Sequence, residues 1–159
     1  PAQVWPVVTH GRIYLASPDR YMTVLDESTG EVVWRYNDLD HRVRESIGIS
    51  EDGETVYAKT MDGQLLAIDA TQPERAIKWV SSGEDMGYEL APTAVVEKNG
   101  IVYAPTDKGL IYAYQASDGA FLWKYRVSSG LINMILPTDN DELYVSSMDG
   151  VLVKLQVAQ

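Results

Sequence analysis

The sequence predicts an all-β fold of four β-propeller blades, each a sheet of four antiparallel strands, with the last blade lacking its outer strand. A short apolar motif recurs four times with its tyrosines 43, 46 and 41 residues apart, and three tryptophans follow it at intervals of 45 and 44 residues. Such a period indicates a stacked or radial repeat, so the fold is read from its unit. The repeated aromatic residues are Tyr14, Tyr57, Tyr103, Tyr144, Trp34, Trp79 and Trp123.

Each unit reads as four short strands joined by turns. In the second unit the pattern predicts strands at 47–50, 55–60, 65–69 and 77–80. Asp62-Gly63 separates the second strand from the third, and Asp-Gly is a strong hairpin signal because glycine supplies the positive φ that the primed turns need. The same reading gives one partial propeller domain over residues 1–159, with repeats at approximately 6–36, 46–80, 92–127 and 133–157.

The second and third strands of the units are apolar at nearly every position, as in Leu65-Leu66-Ala67-Ile68. A strand covered on one face would instead alternate between apolar and polar residues. Continuous apolar runs therefore predict sheets covered on both faces, which is the arrangement of blades that stack around an axis.

The turn between the third and fourth strands resembles a known family motif. In the first unit Asp26, Gly30 and Trp34 are spaced as in the tryptophan-docking repeat of the pyrroloquinoline-quinone-like propellers. In that repeat an Asp is followed by a Gly four positions later and by a Trp four positions after the Gly. The resemblance implies that each tryptophan docks between adjacent blades and ties them together.

The other units match this repeat to different degrees. The third unit has Gly119 and Trp123 but Gln115 at the Asp position. The second has Asp69 and Trp79 with two extra residues between them, and the fourth has no Trp. The resemblance implies structural docking roles for Trp34, Trp79, Trp123, Gly30, Gly119, Asp26 and Asp69.

The resemblance implies two classes of function. Family members include quinone-dependent dehydrogenases and many propellers that bind no quinone, among them bacterial outer-membrane assembly lipoproteins that act by binding partner proteins. The dehydrogenases use a full ring, a calcium ion and often a vicinal cysteine pair, whereas this chain has no Cys and no residue that maps onto a quinone site. We therefore expect no cofactor, no bound metal and no catalytic residue in this chain.

The favoured hypothesis is a non-catalytic propeller module that serves as a scaffold or a platform for protein or ligand recognition, within a larger bacterial protein. The alternative is a fragment of a quinone-dependent dehydrogenase. The family resemblance favours a periplasmic or cell-envelope location. Fold alone does not decide between these functions.

Composition excludes several partners. The formal net charge is −10, which disfavours nucleic acid and anionic membranes, because a basic surface supplies most of the affinity for both. No stretch approaches the roughly 18 apolar residues of a membrane span. Asp139-Asn140-Asp141-Glu142 resembles the opening of a calcium loop, but it lacks the expected Gly and the distal Glu, so it reads as a hairpin turn.

The strand count leaves open edges. Four first, four second and four third strands are predicted but only three fourth strands, and Trp5 lies too close to Tyr14 to serve as the missing docking residue. Exposed blade edges and faces favour association. We expect a protein partner or self-association through these edges. The chain is then either the C-terminal half of a longer propeller or one of two copies that close an eight-bladed ring.

Two long connections are the candidate binding loops, because propellers bind ligands and partners through loops at the ends of the channel. One runs over residues 38–46 and carries carboxylates beside an imidazole; the other runs over residues 81–90. The candidate binding residues are Asp38, Asp40, His41, Glu84, Asp85, Met86 and Tyr88.

Overall fold

A computed structural model describes residues 5–17, 21–36, 42–43, 47–87 and 93–158 of the chain. All regular elements within these ranges are β-strands, and they form four separate antiparallel sheets. Three sheets have four strands and one has three. The predicted all-β propeller fold is therefore confirmed, including the missing outer strand of the last blade.

The strands follow one another along the chain within each blade, so each sheet is a simple meander. Blade 1 contains β1 (Val7–Thr9), β2 (Arg12–Ala16), β3 (Met22–Asp26) and β4 (Val32–Tyr36). Blade 2 contains β5 (Gly48–Ile49), β6 (Thr55–Lys59), β7 (Leu65–Asp69) and β8 (Ile77–Val80). Blade 3 contains β9 (Val96–Lys98), β10 (Ile101–Pro105), β11 (Leu110–Gln115) and β12 (Phe121–Arg126). Blade 4 contains β13 (Ile132–Pro137), β14 (Glu142–Ser147) and β15 (Leu152–Gln156).

Among the residues that the structure describes, the two middle blades are covered on both faces. All five residues of β6 and four of the five residues of β7 are buried, as the continuous apolar runs predict. In β14 of blade 4, buried and more exposed residues alternate. The same alternation holds for the first four residues of β3 in blade 1. Blades 2 and 3 thus show the two covered faces that the apolar runs predict, whereas blades 1 and 4 each leave one face exposed among the described residues, in line with the expected exposed blade faces.

Three apolar clusters fill the three spaces between neighbouring blades. The first joins blades 1 and 2, the second joins blades 2 and 3, and the third joins blades 3 and 4. Each cluster uses the tyrosine-bearing face of one blade and the opposite face of the next. We call these the tyrosine face and the receiving face of a blade.

A tyrosine and a tryptophan of the same blade pack together on the tyrosine face. The ring centroids lie 6.1 Å apart for Tyr14 and Trp34, 5.8 Å for Tyr57 and Trp79, and 5.9 Å for Tyr103 and Trp123. These separations are typical of attractive aromatic pairs, which add about 0.5–1.5 kcal/mol beyond the area they bury. The repeated aromatic spacing in the sequence therefore corresponds to a repeated contact between blades.

Polar groups link the hairpin tips of neighbouring blades. The Thr9 hydroxyl donates to the Gly53 carbonyl at 2.6 Å, and the backbone N–H of Asn99 donates to a Glu51 carboxylate oxygen at 2.5 Å. Lys98 continues the series by pairing with Glu51 at 3.4 Å and with Asp139 at 2.8 Å. These exposed contacts fix the relative position of blades that the apolar clusters already hold together.

The buried tyrosines should make the free energy of unfolding depend on pH in the alkaline range. Burial, helped by the nearby Asp141 carboxylate, raises the pKa of Tyr103 from 10.0 to about 12, and burial also raises the pKa of Tyr57 and Tyr114. A phenol whose pKa is raised in the folded state stabilises the fold fully below its unfolded pKa, and this contribution is lost as pH rises through the folded pKa. We predict that the free energy of unfolding falls from about pH 10 upward.

Urea unfolding measured at several pH values between about 8 and 11.5 tests this prediction. Tyr103→Phe should flatten the alkaline slope, whereas Tyr125→Phe, which removes an exposed phenol, serves as the matched control. Equal slopes in the wild type and in Tyr103→Phe would contradict the prediction.

Candidate functional site

Trp79 of blade 2 lies against the turn between β11 and β12 of blade 3. Its indole Nε1 donates a hydrogen bond of 3.0 Å to the Ala116 carbonyl. A Cβ placed on Gly119 would lie only 2.4 Å from the indole ring. The ring therefore occupies the space above the glycine, and only a residue without a side chain allows this approach.

The chain after Trp79 is also attached to this turn. The Ser82 amide donates to the Gly119 carbonyl at 3.0 Å, and the Phe121 amide donates to the Ser82 carbonyl at 2.9 Å. Two backbone hydrogen bonds and the indole thus hold blade 2 to blade 3 at one place. We infer that Trp79 and Gly119 act as the docking pair that the family resemblance implies.

The corresponding turn of blade 1 has the same backbone but no indole above it. Gly30 has φ of 74° and its amide donates to the Asp26 carbonyl at 2.8 Å; Gly119 has φ of 77° and makes the same 2.8 Å bond to Gln115. A Cβ on Gly30 would meet nothing within 4 Å. Blade 1 therefore presents a docking turn that is open on its receiving side.

Trp34 of blade 1 packs against the apolar cluster between blades 1 and 2, and the turn after β7 of blade 2 differs from that of blade 3. The turn of blade 2 is two residues longer, because the Asp69 amide bonds to the Ala76 carbonyl, seven positions on, whereas the Asp26 amide bonds to the Glu31 carbonyl, five positions on. The Trp34 Nε1 is buried and has no hydrogen-bond partner. The Arg12 guanidinium instead donates to the Gln72 carbonyl of the longer turn.

Asp26 and Asp69 stabilise their own turns. The Asp26 carboxylate accepts hydrogen bonds from the Ser28 hydroxyl at 2.6 Å and from the Thr29 amide at 2.9 Å, and the Asp69 carboxylate accepts one from the Thr71 hydroxyl at 2.6 Å. These donors lower the pKa of both carboxyl groups. The two residues thus preorganise the turns, and we infer that they contribute to docking through the shape of the turn.

The structure describes three of the seven candidate loop residues. Glu84 pairs with Lys124, and its carbonyl accepts a hydrogen bond of 2.9 Å from the Tyr114 hydroxyl. Asp85 is exposed and accepts a hydrogen bond from the Gly87 amide at 3.0 Å. The remaining candidates, Asp38, Asp40, His41 and Tyr88, lie outside the described residues.

Met86 is not part of an exposed binding surface. Its side chain is only 5% exposed and packs in the apolar cluster between blades 2 and 3. The Met86 amide also donates to the Gly63 carbonyl at 2.7 Å, which holds the loop against the β6–β7 turn. The interpretation of Met86 as a binding residue is therefore wrong, because its apolar side chain is used to fill the core.

The tyrosine face of blade 4 is uncovered. Tyr144 pairs with Lys154 as Tyr57 pairs with Ala67, yet Tyr144 is 37% exposed whereas Tyr57 is buried. Leu136 and Leu152 on the same face are 54% and 67% exposed. The strand count predicted exposed blade faces, and the lysine opposite the tyrosine, where blades 1 to 3 have Val24, Ala67 and Ala113, is a further signal of this one in the sequence.

The receiving face of blade 1 is open as well. Val8 is 52% exposed, and its cross-strand neighbour Ile13 is half-buried, as are Leu15 and Leu25. The corresponding residues of blade 2, such as Val56 and its partner Ile68, are fully buried. The two ends of the blade series therefore expose the two halves of one type of contact.

An open groove of about 580 Å³ runs beside Trp123, between blades 3 and 4. Tyr103 and Gln115 line it from blade 3, and Leu143 and Val157 line it from blade 4. Its walls also carry charged side chains, among them Lys98, Asp141 and Glu142, and it lies next to the unpaired edge of β15.

The described residues contain no cluster that fits a calcium ion. Within these ranges no group of three or more His, Asp or Glu side chains is placed to hold a metal ion, and the sequence contains no Cys. We derive no chemical step through such a group, and the absence of a cofactor stays a prediction. The same ranges contain no helix with the length and apolar character of a membrane span.

Gly119 and Gly30 form a matched pair for testing the docking role. Alanine at either position adopts a left-handed backbone at a cost of roughly 1–2 kcal/mol. At Gly119 the added methyl also displaces the Trp79 indole, so we predict that Gly119→Ala lowers the free energy of unfolding by about 2–5 kcal/mol. Chemical denaturation followed by tryptophan fluorescence measures both losses, and equal losses for the two variants would contradict the docking role.

The two tryptophans should respond differently to loss of the indole N–H. Trp79→Phe leaves the Ala116 carbonyl without its donor, whereas Trp34→Phe removes a buried donor that has no partner. Both variants lose packing area, but the missing hydrogen bond should make Trp79→Phe the more destabilising by about 1–2 kcal/mol. Thermal unfolding of the two variants measures this difference, and a greater loss for Trp34→Phe would show that its indole has a partner in solution.

Solved structures share the fold at low sequence identity. The computationally designed Ika4 protein aligns with a TM-score of 0.76 and 14% identity, over 96% of this chain and 89% of its own. The crystal structure of BamB from Moraxella catarrhalis aligns with a TM-score of 0.73 and 20% identity, over 97% of this chain and 45% of its own.

Curated relatives fall into two groups. The outer membrane protein assembly factor BamB of Nitrosomonas eutropha is 26% identical over 125 residues, which are 76% of this chain and 27% of that protein. The quinohemoprotein alcohol dehydrogenase ADH-IIG of Pseudomonas putida is 28% identical over 141 residues, which are 79% of this chain and 19% of that protein. The chain thus spans less than a third of the length of either relative. The family model described as outer membrane protein assembly factor BamB matches residues 1–76 and 71–159, so this chain belongs to the BamB-like family of pyrroloquinoline-quinone-like propellers.

Proposed function

We propose that these four blades form a non-catalytic module that binds another protein, within a larger bacterial protein of the cell envelope. One observation carries the proposal: the apolar side chains of Leu136, Tyr144 and Leu152 are exposed together on the tyrosine face of blade 4, around the charged Lys154. An exposed apolar patch of this kind marks an interaction surface. Relatives described as assembly factors for outer membrane proteins support a role in protein association.

The unpaired edge of β15 and the groove beside Trp123 extend this surface. An added strand at β15 would complete the sheet of blade 4, and side chains from that strand could enter the groove. Peptide recognition by strand addition obtains affinity from backbone hydrogen bonds and specificity from alternate side chains. The exposed loop residues Glu84 and Asp85 remain secondary candidates for contact.

Site-specific photocrosslinking in bacterial cells tests the proposal. A photoreactive phenylalanine analogue at Leu136 should give a discrete protein adduct, because this side chain lies on the open face of blade 4. The same analogue at Ile77, an exposed apolar residue on the outer strand of blade 2, is the matched control. Adducts from Ile77 and Leu136 alike, or from neither, would contradict a specific interaction at blade 4.

The dehydrogenase relatives support a second candidate function, as part of a quinone-dependent dehydrogenase. This candidate requires that the chain bind the quinone and thereby change its absorbance. Titration of the purified chain with pyrroloquinoline quinone and calcium, followed by the absorbance of the quinone, distinguishes it from the binding module. A saturable spectral change would support the dehydrogenase function, and an unchanged spectrum would remove it for this chain.

A further inference from the structure

The turn between β9 and β10 of blade 3 consists of two residues, Asn99 and Gly100, and it contacts the blades on both sides. We propose that Asn99 is a site of spontaneous modification, at which the side-chain amide is lost as ammonia and aspartate or isoaspartate takes its place. The chemistry is attack of a backbone nitrogen on a side-chain amide, with water as the co-reactant. The inference is independent of the proposed function, because it uses no residue of the open face of blade 4.

The shape of the turn favours this reaction. Lys98 pairs with Ile101 across the two strands, so Asn99 and Gly100 form the whole connection, with φ of 50° and 80°. Both residues are exposed, although blade 3 has a neighbour on each side. A Cβ placed on Gly100 would meet nothing within 4 Å. Water and base therefore reach the turn, and a glycine nitrogen approaches the preceding side chain with the least steric hindrance.

The N–H group of Gly100 distinguishes this turn from the Asp-Gly turns of the chain, which can react through the same kind of ring. In all four Asp-Gly turns the glycine N–H donates to a carbonyl of its own turn, at 2.8 to 3.1 Å. These glycines are Gly53, Gly63, Gly119 and Gly150. Within the part of the chain that the structure describes, no acceptor bonds the N–H of Gly100. Its nitrogen is therefore free to lose its proton and to turn toward the Asn99 side chain.

The group under attack also differs. The Asp52 carboxylate accepts a hydrogen bond from the Ser50 hydroxyl, and the Asp149 carboxylate accepts one from the Ser147 hydroxyl. These donors lower the pKa of both carboxyl groups, so each stays ionised and repels a deprotonated nitrogen. The side chain of Asn99 is a neutral amide, which has no such protection.

The other described asparagines are poorer candidates. Asn133 lies inside β13, where strand pairing restrains the backbone. Asn140 lies in an exposed turn but precedes Asp141, whose side chain hinders the approach of the backbone nitrogen. Asn140 therefore serves as the internal reference for Asn99, since both lie in hairpin turns of the same type of connection.

The reaction balances without an oxidant or a reductant. Base removes the proton of the Gly100 nitrogen, which then forms a bond to Cγ of Asn99. The bond between Cγ and Nδ2 breaks, and the nitrogen leaves as ammonia after it takes a proton from water. Water next opens the cyclic imide. Opening at Cγ gives aspartate, whereas opening at the backbone carbonyl carbon gives isoaspartate, in which the chain runs through Cβ and Cγ.

The product would disturb a joint between three blades. The backbone N–H of Asn99 donates to Glu51 of blade 2 at 2.5 Å, and its Nδ2 donates to Asp141 of blade 4 at 3.3 Å. Modification replaces the Nδ2 donor by a carboxylate that repels Asp141. Lys98, the cation beside the turn, already pairs with Glu51 and Asp139. Isoaspartate also adds a backbone atom to a connection of two residues, which shifts the pairing of the flanking strands.

Peptide mass spectrometry of the purified chain, incubated at mildly acidic and at mildly alkaline pH, tests the site directly. We expect aspartate and isoaspartate at Asn99 to accumulate at least about tenfold faster than at Asn140, because only Asn99 precedes a glycine. The rate should rise with pH, since the attacking nitrogen must lose its proton. Equal rates at the two asparagines, or isoaspartate that forms first at an Asp-Gly turn, would overturn the proposal.

Blade 1 supplies a matched control for the assignment. Its β1–β2 turn has His10 and Gly11 at φ of 50° and 73°, nearly the backbone of Asn99 and Gly100. Asn99→His therefore keeps a residue type that this turn accepts and removes the reactive amide. Ion-exchange chromatography of the aged wild type should show a more acidic species, and the same species in aged Asn99→His would overturn the assignment to Asn99.

Asn99→Asp copies the aspartate product and tests its effect on the joint. Its thermal midpoint should lie roughly 2–4 °C below that of the wild type, because two carboxylates then face each other. Adding Asp141→Asn should recover most of this loss, since one of the two charges is removed. An equal loss with and without Asp141→Asn would overturn the proposed repulsion between blades 3 and 4.

Discussion

The contact between the tyrosine face of one blade and the receiving face of the next is the constraint on which this structure depends. A four-stranded sheet cannot bury both of its faces alone, so each blade is stabilised largely by its neighbours. The chain repeats this contact three times with the same aromatic pair, as between Tyr57 and Trp79. The junctions differ in the hydrogen bond made to the turn of the next blade. The Trp79 indole N–H of blade 2 donates to the turn of blade 3, whereas the Arg12 guanidinium of blade 1 donates to the turn of blade 2.

The fold could be predicted from the sequence because each blade is a local meander. Tyrosine spacing, Asp-Gly turns and apolar runs specify hairpins whose strands pair with their neighbours along the chain, so no distant pairing had to be guessed. Coverage of a blade could not be predicted in this way. Leu143-Tyr144-Val145 reads like Val56-Tyr57-Ala58, yet Tyr144 is exposed and Tyr57 is buried. Burial of a face depends on whether another blade lies against it, which is a tertiary fact that strand composition does not contain.

The candidate sites show the same division between local and tertiary information. The motif implies docking roles for Gly119 and Trp79 separately, as members of two different repeats, but the contact between them is visible only in the structure. The replacement of the indole bond by Arg12 could not be read from the sequence, since it depends on where the longer turn places the Gln72 carbonyl. Met86 was misjudged for a related reason: it lies in a polar loop, but the loop folds back between blades 2 and 3.

The proposed binding and the stability of the blades would use the same surface. The open faces of blades 1 and 4 expose apolar area that the middle blades bury, so any protein that covers them also supplies the missing contact of a blade. Binding to the folded state alone raises its stability by an amount set by partner concentration relative to the dissociation constant. The proposed binding therefore uses the faces of blades and needs no separate binding domain.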